Sequence, residues 1–144
     1  MGLFLIEEIP SGLPAEKAVA QIRSQGGLVC IPHPFDRLRP SALKNQTIEM
    51  LLPHIDIIEA FNSRTLLLRD STKAKLFAQT HGLLTGVGSD AHTPSEIGNA
   101  YVEMPEFNGR DEFVQSLAKG KIIGRRTNPL VHVISSWAKL RKRS

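Results

Sequence analysis

The sequence predicts an α/β fold built on parallel strands. Short continuous apolar runs, Leu28–Ile31, Ile55–Phe61 and Leu83–Val87, have the character of strands covered on both faces. They alternate with stretches whose apolar residues recur at helical spacing. That order argues for parallel strands joined by right-handed crossovers, which an open doubly wound sheet and a barrel both satisfy. A third observation is positional: each of these runs is followed by polar residues of ligand type.

In chain order, residues 3–8 predict a first strand. Ser11-Gly12-Leu13-Pro14 announces a helix, with the proline suited to its first turn. Ala15, Ala18, Val19 and Ile22 give that helix a core face, and Gly26-Gly27 stops it. Leu28–Ile31 is the second strand. Pro32 cannot donate to a ladder, so pairing should fade there, and Pro34 biases His33 toward extended geometry. An irregular basic segment carrying Arg37, Arg39 and Lys44 follows, then a short helix over 47–52. Ile55–Phe61 is the third strand, and a helix over 65–80 stops at Gly82. After the strand 83–87, Thr93 and Glu96 fit a capping box that starts a helix. Residues 100–104 form a strand. Asn108 caps a helix with Asp111 and Glu112 in its first turn, Gly120 ends it, and 121–124 is the final short strand. Asn128-Pro129 opens a last amphipathic helix with Leu130, Val133, Ile134, Trp137 and Leu140 on one side.

The 144 residues fit one domain, 1–144, with a real core. No apolar stretch approaches the ~20 residues that span a bilayer, and no basic leader precedes an apolar run. The single cysteine, Cys30, sits in an apolar run and reads as a buried hydrophobe in a reducing, cytoplasmic setting. Lys139, Arg141, Lys142 and Arg143 account for the whole formal net charge of +4. The basic balance thus belongs to a tail, which does not indicate a nucleic-acid-binding face. Neither G-x-G-x-x-G nor the P-loop pattern is present, which weakens nucleotide-binding alternatives.

The chemistry concentrates at three strand ends. Asp90 and His92 stand two positions apart after Leu83–Val87, and residues so spaced in extended chain point the same way. A carboxylate with a neutral imidazole is ligand chemistry for Zn, Mn or Fe. A loop aspartate beside a surface histidine would give the same spacing. His33 follows the second strand, however, and Asn62 and Arg64 follow the third. Carboxyl ends of parallel strands share one face, where sites are built. Glu59, three residues before Asn62, reads either as a partner behind the ligands or as a buried structural acid.

Gly26-Gly27-Leu28-Val29-Cys30-Ile31-Pro32-His33-Pro34-Phe35, Ile58-Glu59-Ala60-Phe61-Asn62-Ser63-Arg64 and Gly88-Ser89-Asp90-Ala91-His92 occur in that order. With them the chain resembles the C-terminal part of the PHP (polymerase and histidinol phosphatase) family of metal-dependent phosphoesterases. The resemblance implies a distorted seven-stranded β/α barrel with up to three divalent ions, Mn, Zn or Fe and also Mg. It implies His33, Asp90 and His92 as metal ligands and hydrolysis of a phosphate ester on a small metabolite or nucleotide. Arg64 and Asn62 are candidate substrate-binding groups, with Arg37 a further one. The family opens with a His-x-His motif that this sequence lacks; His54, His81 and His132 lie beside helix signals and do not replace it. The expectation is therefore a truncated, C-terminal portion of the barrel, and whether it catalyses alone stays open. The alternatives are a non-catalytic remnant acting through a partner or its own oligomer, and a polymerase-associated exonuclease. Half a barrel would leave strand edges and an apolar inner face, so a dimer or higher oligomer, or pairing with the missing half, is expected.

Overall fold

The computed structural model describes residues 1–39 and 42–127. Its strands are β1 (Gly2–Leu3), β2 (Leu28–Ile31), β3 (Ile57–Asn62), β4 (Leu84–Gly88), β5 (Ala100–Glu103) and β6 (Lys121–Gly124). Its helices are α1 (Ala15–Ser24), α2 (Asn45–Leu51), α3 (Leu68–Thr80) and α4 (Gly109–Ala118). β1 to β4 form a four-stranded sheet in sequence order, with β2, β3 and β4 parallel and β1 antiparallel to β2. β5 and β6 form a separate antiparallel ribbon. The parallel α/β pattern thus holds for the β2-to-β4 heart of the chain. Both ends depart from it, and among the described residues the sheet is open.

The alternation of side chains along each strand distributes the core to two faces. Val29 and Ile31 of β2 and Ile58 of β3 point to one side, where Val19 and Ile22 of α1, Ile48 and Leu51 of α2, and Ala74 and Ala78 of α3 bury them. Leu28, Cys30 and Ile57 point to the other side, under Leu117, Phe113 and Val114 of α4 and Val102 and Met104 at the ribbon. Two backbone hydrogen bonds, among others, fasten the segment after β6 to the rest. Arg125 N–H donates to Asn99 O at 2.8 Å, and Thr127 N–H donates to Ser63 O at 2.8 Å, just past β3.

Three elements differ from the sequence expectation. The strand expected over 3–8 ends at Leu3 because Phe4 takes φ 58°, which breaks the extended chain. The N–H groups of Ile6 and Glu7 then donate to Gln25 Oε1, at 2.9 and 2.8 Å, rather than to a ladder. The capping box at Thr93 and Glu96 is present, but it opens only a 3₁₀ turn, Pro94–Glu96. α3 begins at Leu68, three residues later than expected. The helix expected from Asn128 lies outside the described residues.

Candidate functional site

Residues three apart in a regular strand point to opposite faces. Glu59 and Asn62 nevertheless meet, with Asn62 Nδ2 donating to Glu59 Oε1 at 2.7 Å. The cause is an irregular register against β4: Glu59 pairs with Gly86 and Phe61 with Val87, so Ala60 is an extra residue. One extra residue reverses the alternation beyond it and turns Asn62 to the side of Glu59. Gly88 stands opposite Asn62, and a Cβ there would lie 2.9 Å from Glu59 Cδ, so the glycine makes room for the carboxylate. Glu59 Oε1 also accepts the backbone N–H of His33 at 3.0 Å. One buried acid therefore ties the end of β2 to the end of β3. Burial pushes the Glu59 carboxyl above its usual range. The Asp90 charge adds to this, and the bonds from Asn62 and His33 oppose it.

His33 and Asp90, at the ends of β2 and β4, both hold left-handed backbone, φ 32° and 50°. Such residues persist only where their surroundings enforce them, and they cluster at functional sites. His33 Nδ1 is buried without a hydrogen-bond partner among the described residues. Burial lowers the His33 pKa and the Arg39 guanidinium lowers it further, while Asp90 and Asp36 partly offset them. The ring is therefore neutral at pH 7, the form that ligates metals. Arg39 Nη2 donates to Asp90 Oδ2, and its Nε lies 3.7 Å from Asp36 Oδ2. A cavity of about 10 Å³, room for one water, lies beneath, lined by His33, Asp36, Glu59, Asn62 and Asp70 among others.

His92 is exposed, and its Nδ1 lies 2.8 Å from Asp90 O. A carbonyl only accepts, so Nδ1 carries a proton, and in the neutral ring Nε2 presents a lone pair, as in metal-ligating histidines. Behind it, Glu96 is 2% exposed. Its Oε2 accepts from His92 N–H, Thr93 N–H and Thr93 Oγ1, all at 3.0 Å. Arg64 Nη1 donates to both Glu96 oxygens at 3.0 and 3.2 Å. Burial alone would raise this carboxyl. The bonds from His92 and Thr93 and the Arg64 charge outweigh it and hold its pKa below the usual range.

The structure thus brings His33 and Asp90 into one neighbourhood around Arg39 and sets His92 beside Asp90. Among the described residues, no three His, Cys, Asp or Glu side chains stand close enough together to form a metal-binding cluster. Two of the groups assigned to substrate lie behind the rim rather than on it. Asn62 is 3% exposed, its amide donating to Glu59 and its Oδ1 accepting Arg64 N–H at 2.9 Å. Arg64 is 6% exposed and engaged by Glu96. Arg37 is exposed, near a basin of about 350 Å³ that Arg37, Arg39 and Lys44 line. Sequence reasoning missed the contact of Arg39 with Asp90 and the opening that Gly88 provides. The glycine that ends β4 was the one available signal for the second.

Fold and rim together define an α/β protein whose ionisable groups collect where parallel strands end. Residues 69–122, which include Asp90 and His92, match a family model described as PHP-associated. Over those residues the chain is similar to the PHP-associated region that the family model describes. Over 111 residues it is 40% identical to the uncharacterized protein MJ0417 of Methanocaldococcus jannaschii, covering 75% of this chain and 47% of that protein. Over 62 residues it is 36% identical to the uncharacterized protein MJ1587 of the same organism, covering 43% of this chain and 36% of that protein. The chain therefore spans half or less of these relatives' length. The crystal structure of PsfC from Pseudomonas syringae superposes with a TM-score of 0.62 at 20% identity, over 94% of this chain and 55% of that one, a likeness of fold. No helix among the described residues is long and apolar enough to cross a membrane.

Proposed function

We propose that the chain forms the strand-end portion of a metal-dependent phosphoesterase, with His33, Asp90 and His92 as metal ligands and a small phosphorylated compound as substrate. In this reading β2 to β4 are the C-terminal part of a distorted seven-stranded β/α barrel. The observation that carries it is His33 Nδ1, an imidazole nitrogen buried without a partner where a parallel strand ends, in the field of Asp90. The donor chemistry fits a divalent ion: a neutral imidazole at His33, an Nε2 lone pair at His92 and the Asp90 carboxylate.

A bound Mn, Zn or Fe ion would supply Lewis acidity and a water of lowered pKa. The chain's own residues do the rest. Glu59 holds the His33 backbone through its N–H, so the ring is aimed from β3 as well as from β2. The Asp90 carbonyl orients His92. Glu96, held by Arg64, fixes the His92 backbone, which makes Arg64 a positioning residue in this reading. Arg37 and Lys44, beside the basin, give an anionic phosphate its counter-charge.

The test is elemental analysis of the purified chain together with hydrolysis of p-nitrophenyl phosphate in added Mn²⁺. His33→Ala and His92→Ala should each abolish metal-dependent turnover, and turnover equal to the parent's would overturn the ligand assignment. A second reading, a non-catalytic member working through a partner or its own oligomer, is favoured by the Arg39 contact with Asp90. Bound metal without turnover would select it.

A further inference from the structure

We infer that Arg39 is a built-in counter-cation that competes with a divalent ion for Asp90. This rests on the metal-site reading above and deepens it. Asp90 is a half-buried carboxylate in strained backbone at the end of β4, with its side chain 20% exposed. Leaving such a charge without a partner is costly. The chain supplies the partner itself. Arg39 reaches back from the loop after β2, and the sequence separation of 51 residues makes the contact a tertiary choice rather than a local accident. Its guanidinium lies between two carboxylates, donating to Asp90 Oδ2 and lying 3.7 Å from Asp36 Oδ2.

One oxygen of Asp90 cannot fully serve a guanidinium and an ion together, because the two positive charges would repel at contact distance. Metal binding therefore displaces Arg39, and the chain's affinity for metal is the intrinsic affinity reduced by the strength of that ion pair. The reduction is a threshold. The site loads only where free metal is high enough, or where an added ligand holds Arg39 elsewhere. A guanidinium is permanently charged, so the threshold does not relax with pH in the physiological range.

The experiment measures Mn²⁺ binding to the intact chain by electron paramagnetic resonance of the free ion. The proteins are the parent, Arg39→Met, Arg39→Lys, Asp90→Asn and the Arg39→Met/Asp90→Asn pair, with folding checked by circular dichroism. Arg39→Met keeps the apolar stem and removes the charge, and it should bind Mn²⁺ about tenfold more tightly than the parent. Arg39→Lys keeps the charge and should stay near the parent. The gain should vanish in the double variant. If Arg39→Met fails to fold, Arg39→Gln makes the same comparison. Equal or weaker binding by Arg39→Met, with Asp90→Asn still weakening the parent, overturns the competition and leaves the metal site standing. If Asp90→Asn changes nothing in either background, the metal reading of the rim falls and this inference falls with it.

Discussion

At the scale of single residues, Glu96 shows how a sequence signal can be right about a contact and incomplete about its purpose. The spacing of Thr93 and Glu96 predicted a capping box, and both of its bonds form. The same carboxylate also accepts His92 N–H and pairs with Arg64 inside the protein. Those extra donors depress its pKa, and the depression has a thermodynamic consequence. A carboxyl whose folded pKa lies below the unfolded value, ordinarily 4.5 for glutamate, contributes stability that is fully present above that value. The contribution is lost as pH falls through the folded pKa. Urea unfolding of the parent at pH 6 and at steps down to pH 3 should therefore show a falling acid limb. Glu96→Gln should be less stable at pH 6 and fall less steeply below 4.5. Parallel limbs for the two proteins would mean that Glu96 titrates normally in the folded state. Removing the acid altogether in Glu96→Ala takes a buried ion pair apart and should cost about 3–5 kcal/mol.

At the scale of elements, the extra residue in β3 separates what the sequence shows from what it hides. The existence of β2, β3, β4, α1, α3 and α4 was legible because continuous apolar runs and helical spacing record burial directly. So was the gathering of His33, Asn62 and Asp90 at strand ends, since their place follows from where each apolar run stops. The ladder irregularity at Ala60 was not legible, because a strand with one surplus residue has the same composition as one without it. For that reason Asn62 was read as a group offered to substrate, while the structure turns it onto Glu59. The antiparallel ribbon was hidden for a related reason: strand pairing direction leaves no mark in residues 100–103 and 121–124. Gly88 gives the prediction at this scale. In Gly88→Ala the new methyl meets the Glu59 carboxylate and the Asn62 amide and forces both to shift. The cost should be about 1–3 kcal/mol, as for other overpacked sites, seen as a lower urea midpoint with little change in slope. Gly82→Ala is the control. Nothing lies within 4 Å of a Cβ there, so only the strain of its φ of 64° should register. A Gly88→Ala protein as stable as the parent would show that Glu59 does not occupy this place.

At the scale of the whole molecule, the question is what covers the second face of the sheet. An oligomer was expected because half a barrel would leave that face open and its edges unpaired. The described residues cover the face from within: α4 lays Phe113, Val114 and Leu117 over Leu28, Cys30 and Ile57, and Val102 and Met104 close the side. The edges are then the reason left for association, and β1, with only two paired residues, guards one of them weakly. The balance between cover and exposure can be shifted by one side chain. Leu117 is 6% exposed and is the buried α4 residue of this second cluster. Leu117→Ala removes three carbons from it and should lower stability by about 2–5 kcal/mol. The loss should be specific to this layer, with α1 to α3 still packed on the other face and most of the helical circular dichroism retained. It should also raise binding of an apolar dye and move the chain toward larger species in light scattering at micromolar concentration. If α4 were only resting on the sheet, the midpoint, dye binding and scattering would all match the parent, and the face would have to be covered by another chain.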